Sequence, residues 1–340
     1  MERTLSASII GRPPEDGDGI SFRLFTLSEC TTLNPLWPLA LNHILLVFID
    51  GIGLGPPGDF NPFSFLSLPG FELLSGGNSF DDESPELNGA KHIYRHIDAG
   101  LGVPGLPQSG TGQASLFTGI NCAEAAGRHF GPFPHSSSRP ILASYNVFSQ
   151  VKSLGLDVAF ANAYPPIFFK HAHKRNRWSV TTRSCLESDT RIRNLDDLEK
   201  GQAVAADITG QRLVDHLGLK INVSSETEAA VNLADLSSRN AFTAFEYFHT
   251  DKAGHARSHE EAEKCLVSLS SFLVQLVAES FNRTLTLVLT SDHGNLENLA
   301  IKTHTENPVP FVAFGELAPS FYGVRSLVDI VPGVIDALSS

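Results

Sequence analysis

Short apolar runs alternate with longer helix-like stretches along most of the chain. Residues 44–49 form an uninterrupted apolar run, which is typical of a strand buried on both faces. Similar runs occupy residues 241–248, 284–290 and 309–314, and the stretches 112–119, 147–154 and 260–280 have helical patterns. This alternation predicts an α/β fold with a largely parallel sheet that is covered by helices on both faces.

Two regions depart from this pattern. Residues 1–38 hold many prolines and glycines, and we expect an irregular N-terminal extension there. Residues 166–239 have a weaker apolar pattern and a run of basic residues between Lys170 and Arg193. We interpret this segment as a small inserted cap or substrate region. The remaining parts, residues 39–165 and 240–340, are then the two halves of one catalytic domain.

Composition and charge exclude several classes of function. The 340 residues include 42% hydrophobic and 18% charged residues, which is an ordinary globular mixture. The net charge of −12 argues against general nucleic-acid binding and against docking on anionic lipid. The longest apolar run near the N-terminus is far shorter than the ~20 residues of a membrane span. The four cysteines form no CxxC pair, and we expect a soluble protein of the reducing cytoplasm.

Acidic and histidine residues recur where the predicted strands end. In open α/β sheets, ligands bind beyond the carboxyl ends of the strands. Taken singly, each such residue also fits an ordinary turn or helix cap. Six carboxylates and imidazoles gathered at one edge suit two divalent cations, Mn²⁺ or Zn²⁺. The six residues are Asp50, Asp251, His255, Asp292, His293 and His304.

A hydroxyl nucleophile is predicted in the loop that precedes the helix-like stretch 112–119. Gly110 and Gly112 surround Thr111, which places the Thr111 hydroxyl at a helix N-terminus, where a phosphoryl group is favoured. A hydroxyl becomes a good nucleophile when a metal lowers its pKa. Ser109 is the alternative candidate, and either residue is also a plausible helix cap.

Five segments resemble the metal-binding segments of the alkaline phosphatase superfamily, and most of all its cofactor-independent phosphoglycerate mutase branch. The likeness covers most of residues 42–165 and 240–340, and its implied fold is a three-layer α/β/α sandwich with a small inserted cap. The segments are ILLVFIDGIG, SGTGQASLFTG, DKAGH, TSDHGN and HTENPVPF.

The resemblance implies a role for each matched position. One metal would be held by Asp50, Thr111, Asp292 and His293, and the other by Asp251, His255 and His304. Thr111, chosen over Ser109 by its spacing to Gly119, would become transiently phosphorylated. The mutases have Ser at this position, whereas other relatives have Thr.

The substrate side matches the mutases less well, because their large inserted domain is not evident here. Basic residues that could bind an anionic substrate, or simply form a solvated face, are Arg128, His129, Lys170, Arg175 and Arg177.

The sequence thus predicts a two-metal phosphoryl-transfer enzyme, a phosphatase or phosphotransferase that acts on a small phosphorylated metabolite. The alternatives are a phosphomutase of the phosphoglycerate mutase type, a catalytically silent metal-binding member of the fold, and an enzyme for sulfate or phosphonate esters. The sequence leaves the oligomeric state open.

Overall fold

A computed structural model describes residues 42–175 and 177–340 of the chain. The predicted N-terminal extension, residues 1–38, lies outside the described residues. The strands are β1 His43–Ile49, β2 Leu87–Asn88, β3 His92–Ile97, β4 Val158–Phe160, β5 Asn162–Ala163, β6 Val204–Ala205, β7 Phe242–Tyr247, β8 Leu285–Thr290 and β9 Val309–Phe314.

Thirteen α-helices surround these strands within the described ranges. They are α1 Pro69–Leu74, α2 Ser109–Thr118, α3 Cys122–Ala126, α4 Ser138–Tyr145, α5 Val147–Ser153, α6 Pro166–Arg175, α7 Val180–Glu187, α8 Leu195–Glu199, α9 Gln211–Leu217, α10 Glu226–Ser237, α11 His249–Ala256, α12 His259–Arg283 and α13 Ile330–Ser339. Short 3₁₀ helices lie at Pro62–Ser64, Ala318–Phe321 and Leu327–Asp329.

The main sheet has seven strands in the order β2-β3-β9-β8-β1-β7-β4, and β5 pairs with β6 in a separate small sheet. β8, β1, β7 and β4 are consecutive parallel strands, and β4 is the last strand on that side of the main sheet. β9 is antiparallel to β8 and to β3. The predicted mostly parallel α/β sheet is therefore confirmed, with an antiparallel strand inserted between β3 and β8.

Helices cover both faces of the sheet because successive side chains of its strands point in opposite directions. In β1, Leu45 and Val47 pack into an apolar core that includes α10 and α12. Leu46 and Phe48 pack into a second core on the other face, which includes α2 and α13. The result is a three-layer sandwich in which both faces of β1 are buried, as its uninterrupted apolar run predicts.

The strand directions bring distant segments of sequence to one edge. The carboxyl ends of β1, β7 and β8 meet there because these strands are parallel. β9 runs in the opposite direction, and therefore its first residue lies at the same edge. His304, which precedes β9, thus reaches the residues that follow β1, β7 and β8.

The predicted insertion, residues 166–239, contains α6 to α10. α10 packs against α12 and against β1 and β7, so it belongs to one of the helical layers. The described residues cluster as one compact unit. A separate cap within 166–239 remains a prediction.

α12 is long and apolar enough to cross a membrane if only its length and composition are considered. In the structure its apolar side chains, such as Leu266, Leu269 and Leu273, are buried in the core against α1 and α10. Packing within the protein accounts for the composition of this helix.

Candidate active site

The six predicted metal ligands lie together at the carboxyl edge of the sheet. Donor atoms of Asp251, His255 and His304 all lie within 4.8 Å of one another, as do donor atoms of Asp50, Asp251 and His293. Asp251 belongs to both groups and so lies between them. Asp292 joins the second group, because its Oδ2 is 3.6 Å from Nε2 of His293.

The histidine rings are oriented by backbone carbonyl groups. Nδ1 of His255 is 2.9 Å from the carbonyl oxygen of Lys302, and Nδ1 of His304 is 2.7 Å from that of Pro107. When the N–H of each Nδ1 donates a hydrogen bond to the carbonyl, the Nε2 lone pairs are free to bind a metal. The two Nε2 atoms are 3.2 Å apart, so their lone pairs repel one another unless a cation or a proton lies between them.

The carboxylates are equally incomplete without a cation. Oδ1 of Asp50 and Oδ2 of Asp292 are buried and have no hydrogen-bond partner among the described residues. An unpaired buried carboxylate oxygen is costly, and a bound divalent cation removes that cost. The imidazole and carboxylate donors therefore fit two borderline divalent cations.

Burial and mutual repulsion perturb the ionisation of this cluster. Burial, and then the charge of Asp292, raises the pKa of Asp50 well above its usual value. Burial alone would lower the pKa of His293, but the charges of Asp292 and Asp50 raise it to about 10. Burial and the neighbouring His293 lower the pKa of His304 to about 4. The metal-free cluster thus holds on to protons that a divalent cation would displace.

A glycine lets the first ligand segment approach Asp251. Gly51 has a φ of +75°, and a Cβ atom at this position would lie 2.8 Å from Cβ of Asp251. Only glycine readily adopts this left-handed conformation and also leaves the space free. The loop after β1 can therefore place Asp50 beside the ligand that β7 supplies.

Glu297 ties together three segments of the site. Its Oε2 accepts hydrogen bonds from the backbone N–H groups of Gly53 and Asn295, at 2.9 and 2.8 Å. Its Oε1 accepts hydrogen bonds from Thr305 and Asn307. This buried carboxylate holds together the loops that carry Asp50, His293 and His304. It caps no helix, because none directly follows the segment TSDHGN in the described structure.

Asn295 positions Asp251, since its Nδ2 donates to Oδ1 of Asp251 at 2.7 Å. Replacing Asn295 with alanine is expected to weaken Mn²⁺ binding about 10- to 100-fold, the usual effect of losing a residue that orients a metal ligand. Isothermal titration of the metal-stripped protein measures the change. Asn298→Ala is the control, because within the described part of the chain the Asn298 side chain accepts only from the N–H of Ala300. Equal affinities of both variants would contradict this role.

Ser109, rather than Thr111, is the hydroxyl residue beside the predicted ligands. α2 begins at Ser109, and the Ser109 Oγ is 3.0 Å from Nε2 of His293. Thr111 is two residues further along the helix, about 200° around its axis. Its hydroxyl is fully buried, bonds to the carbonyl groups of Gln108 and Phe130, and accepts from the N–H of Phe130. The prediction of Thr111 as nucleophile and ligand is therefore corrected.

A cavity of about 600 Å³ adjoins this cluster. Asp50, Ser109, Gln113 and Asp251 lie on its wall beside the ligands. Gln113 also orients Asp50, because its Nε2 donates to Oδ2 of Asp50 at 3.1 Å. Ser109 and the predicted ligands Asp50 and Asp251 are therefore accessible to a molecule of substantial size.

The basic residues on the cavity wall differ from those predicted. Arg128 and His129 line a different hollow, where His129 bonds to the carbonyl of Val103. Arg177 packs over the ring of Phe133 and lines another hollow with Arg139. Lys170 is exposed on α6, and the side chain of Arg175 is outside the description. The described cavity wall instead contains Arg212, His216 and Lys252.

Several of these residues were missed by sequence reasoning. Arg212 and His216 lie in α9, where nothing in the local pattern indicates a site. Glu246 also lines the cavity, and the sequence does distinguish it, because it is the single charged residue of β7. Lys252, next to Asp251, was overlooked within the DKAGH segment.

Comparison with known proteins agrees with this architecture. A family model described as the Metalloenzyme superfamily matches residues 201–339. The 2,3-bisphosphoglycerate-independent phosphoglycerate mutase of Anaplasma phagocytophilum is 27% identical over 110 residues, which are 30% of this chain and 22% of that protein. The enzyme of the same name from Ehrlichia ruminantium (strain Gardel) is 24% identical over 177 residues, 50% of this chain and 32% of that protein. These matches agree with the predicted resemblance to metalloenzymes of the alkaline phosphatase superfamily.

Solved structures share the fold of this chain. The PH0037 protein from Pyrococcus horikoshii superposes with a TM-score of 0.53 at 11% identity, covering 88% of this chain and 98% of that one. A mutant TAB5 alkaline phosphatase with bound Mg, from an Antarctic bacterium, gives 0.50 at 9% identity, covering 87% and 97%. The aligned parts span only about a fifth to a third of the curated mutases.

Proposed function

We propose that this protein is a two-metal phosphoric ester hydrolase of the alkaline phosphatase superfamily and that its nucleophile is Ser109. The observation that carries the proposal is the position of the Ser109 Oγ. It lies 3.0 Å from Nε2 of His293, at the first residue of α2, and on the wall of the cavity. A helix N-terminus favours the negative charge of a phosphoryl group. The Ser109 hydroxyl therefore lies next to both the proposed cation ligands and the cavity that would hold the substrate.

Asp50, Ser109, Asp292 and His293 would hold one cation, and Asp251, His255 and His304 the other. When bound, the cations would neutralise the phosphoryl oxygens and lower the pKa of the Ser109 hydroxyl. Lys252 adds a positive charge on the cavity wall. A site in a chain of net charge −12 can thus still attract an anion, because local charges decide the potential in a pocket.

The proposed reaction has two displacements at phosphorus. The Ser109 Oγ forms a bond to phosphorus as the bond to the ester oxygen breaks, and the serine proton passes through solvent to the departing alcohol. Water then attacks the phosphoserine, which releases phosphate and restores the hydroxyl with a proton from that water. Hydrolysis is favoured over mutase chemistry because the cavity is open to solvent water, whereas phosphoryl return to substrate requires a closed site.

Metal-dependent turnover tests this function. Protein stripped with EDTA is expected to release no phosphate from 4-nitrophenyl phosphate, and addition of Mn²⁺ or Zn²⁺ is expected to restore release. 4-Nitrophenyl sulfate is the parallel substrate that distinguishes a sulfatase. Isomerisation of 3-phosphoglycerate to 2-phosphoglycerate without free phosphate would replace the hydrolase with a phosphomutase. Tight metal binding without any turnover would indicate a silent member of the fold.

A further inference from the structure

The cavity beside Ser109 is much larger than a phosphoryl group requires. A volume of about 600 Å³ is in the range of pockets that enclose drug-sized organic molecules. Much of its wall is apolar and aromatic. Tyr164 and Phe168 stack with their ring centroids 4.0 Å apart, and the other apolar lining residues include Phe133, Phe248, Leu213 and Leu217. Flat aromatic walls favour a planar ring in the organic part of the ester.

Glu246 is a buried carboxylate on this wall that is not among the predicted metal ligands. Phe242 and Ala244 of β7 pack into the core on one face of the sheet, and Glu246 is the next residue on that face. Only 4% of Glu246 is exposed, and the residue lines the cavity. Burying a carboxylate is costly unless its oxygens are bonded, so this position is unfavourable for stability alone. Such a residue is expected to serve a ligand.

The surroundings of Glu246 leave one oxygen available. Oε2 accepts hydrogen bonds from the hydroxyl groups of Thr181 and Tyr164, at 2.7 and 3.4 Å. The Asn162 side chain bonds to both the N–H and the C=O of Glu246, at 2.8 and 2.7 Å, and thereby holds the backbone. The hydrogen bonds of the described residues reach only Oε2. Oε1 therefore remains free to accept a donor from a molecule in the cavity.

We infer that the ester hydrolysed here has an organic part with a planar, largely apolar ring that donates an N–H or O–H group to Glu246. This inference rests on the proposed function, since it assumes that a phosphoryl group occupies the site at Ser109. It names the substrate class as phosphate esters of ring-bearing alcohols with a hydrogen-bond donor on the ring. Small polar esters such as phosphoglycerate would fill the cavity poorly.

Three esters test the inference on the Mn²⁺-loaded enzyme. 2-(4-Hydroxyphenyl)ethyl phosphate carries ring and donor, 2-phenylethyl phosphate carries the ring alone, and 3-phosphoglycerate carries neither. We expect kcat/KM to fall in that order, with about a 10- to 100-fold advantage for the donor over the bare ring, the range of a hydrogen bond to a charged group. Equal values for the first two esters, or a preference for 3-phosphoglycerate, would overturn the inference.

Variants then assign the preference to Glu246. In Glu246→Leu the ratio between the two ring esters is expected to fall to about 1, and Glu246→Gln, which retains an acceptor, should restore part of it. Glu279→Leu is the matched control, because Glu279 is a buried carboxylate that pairs with Arg283 on α12. Its ratio should equal that of the wild type. Melting temperatures confirm that each variant is folded, and a ratio that survives in Glu246→Leu refutes the assignment.

A binding measurement separates this inference from the proposed function. If no ester is turned over with metal, the proposed hydrolase fails. The free alcohols 2-(4-hydroxyphenyl)ethanol and 2-phenylethanol are then titrated against the wild type and Glu246→Leu by NMR. About tenfold tighter binding of the hydroxylated alcohol to the wild type alone supports the role of Glu246. Equal binding of the two alcohols to the wild type refutes it.

Discussion

Ser109→Ala is expected to lower kcat on a phosphate monoester by about 1,000-fold or more, as is usual when a catalytic nucleophile is removed. The reason is the position of the hydroxyl, 3.0 Å from His293 and on the cavity wall. In the wild type, acid-quenched turnover should also leave phosphate on the peptide that contains Ser109. Mass spectrometry with site localisation measures that label, and steady-state assays measure kcat.

Thr111→Val is the matched comparison, because it removes a hydroxyl two residues away in the same helix. The Thr111 hydroxyl accepts from the N–H of Phe130, so its loss leaves a buried donor unpaired. We expect a loss of about 1–3 kcal/mol in the free energy of unfolding, with kcat within a few-fold of the wild type below the melting transition. A label on Thr111, or equal losses of kcat in both variants, would restore Thr111 as the nucleophile.

Asp292→Asn is expected to raise the melting temperature of the metal-free protein by about 1–2 °C, the shift that ~1 kcal/mol produces in a chain of this size. Asp292 is fully buried, its Oδ2 has no hydrogen-bond partner in the described part of the chain, and its charge repels that of Asp50. Replacing the carboxylate with an amide removes this repulsion. Differential scanning calorimetry in EDTA measures the effect.

With Mn²⁺ or Zn²⁺ the order of stabilities should reverse. The wild type gains about 4 kcal/mol at a metal concentration 1,000 times Kd, whereas the variant has lost a ligand and gains much less. Asp197→Asn is the control, since Asp197 is a buried carboxylate that caps α8 and pairs with Arg191. It should lower stability equally with and without metal. An unchanged metal response of Asp292→Asn would contradict the assignment of Asp292 as a ligand.

The strands and their acidic ends could be predicted from the sequence because both depend on local pattern. Apolar runs fully buried on both faces identify β1, β7 and β8, and the parallel arrangement then places Asp50, Asp251 and Asp292 at one edge. The position of His304 also follows, although for a reason that the sequence does not state. β9 is antiparallel, and so its beginning lies at that edge.

The choice between the Ser109 and Thr111 hydroxyls could not be predicted from the same pattern. The segment before the apolar helix contains Gly110 and Gly112, which are poor helix formers, and no side chain caps the helix at Gln108. Local propensity therefore placed the helix start too late. The structure begins α2 at Ser109, and a shift of two residues changes which hydroxyl faces the strand ends.

The cavity could not be predicted from the sequence for a different reason. Its wall combines α9, β7 and the segment around Tyr164, which are far apart in the sequence and meet only through tertiary packing. Hydrophobic periodicity along the sequence carries no information about such tertiary contacts. The basic run between Lys170 and Arg193 drew attention by composition, yet Arg191 pairs with Asp197 and Arg193 bonds to the carbonyl groups of Phe160 and Gln202.

The hydrogen bonds of Glu297 to distant segments have a consequence for when the metal site can form during synthesis. This carboxylate joins the loop after β1 to residues near the start of β9, and the proposed ligands extend from Asp50 to His304 along the chain. During synthesis, Asp50 and Ser109 leave the ribosome long before His293 and His304 exist, and domains fold as units. A chain that ends before His293 offers a cation only part of each proposed set of ligands. Metal binding should therefore follow the synthesis of β9. This order protects unfinished chains from binding the wrong ion.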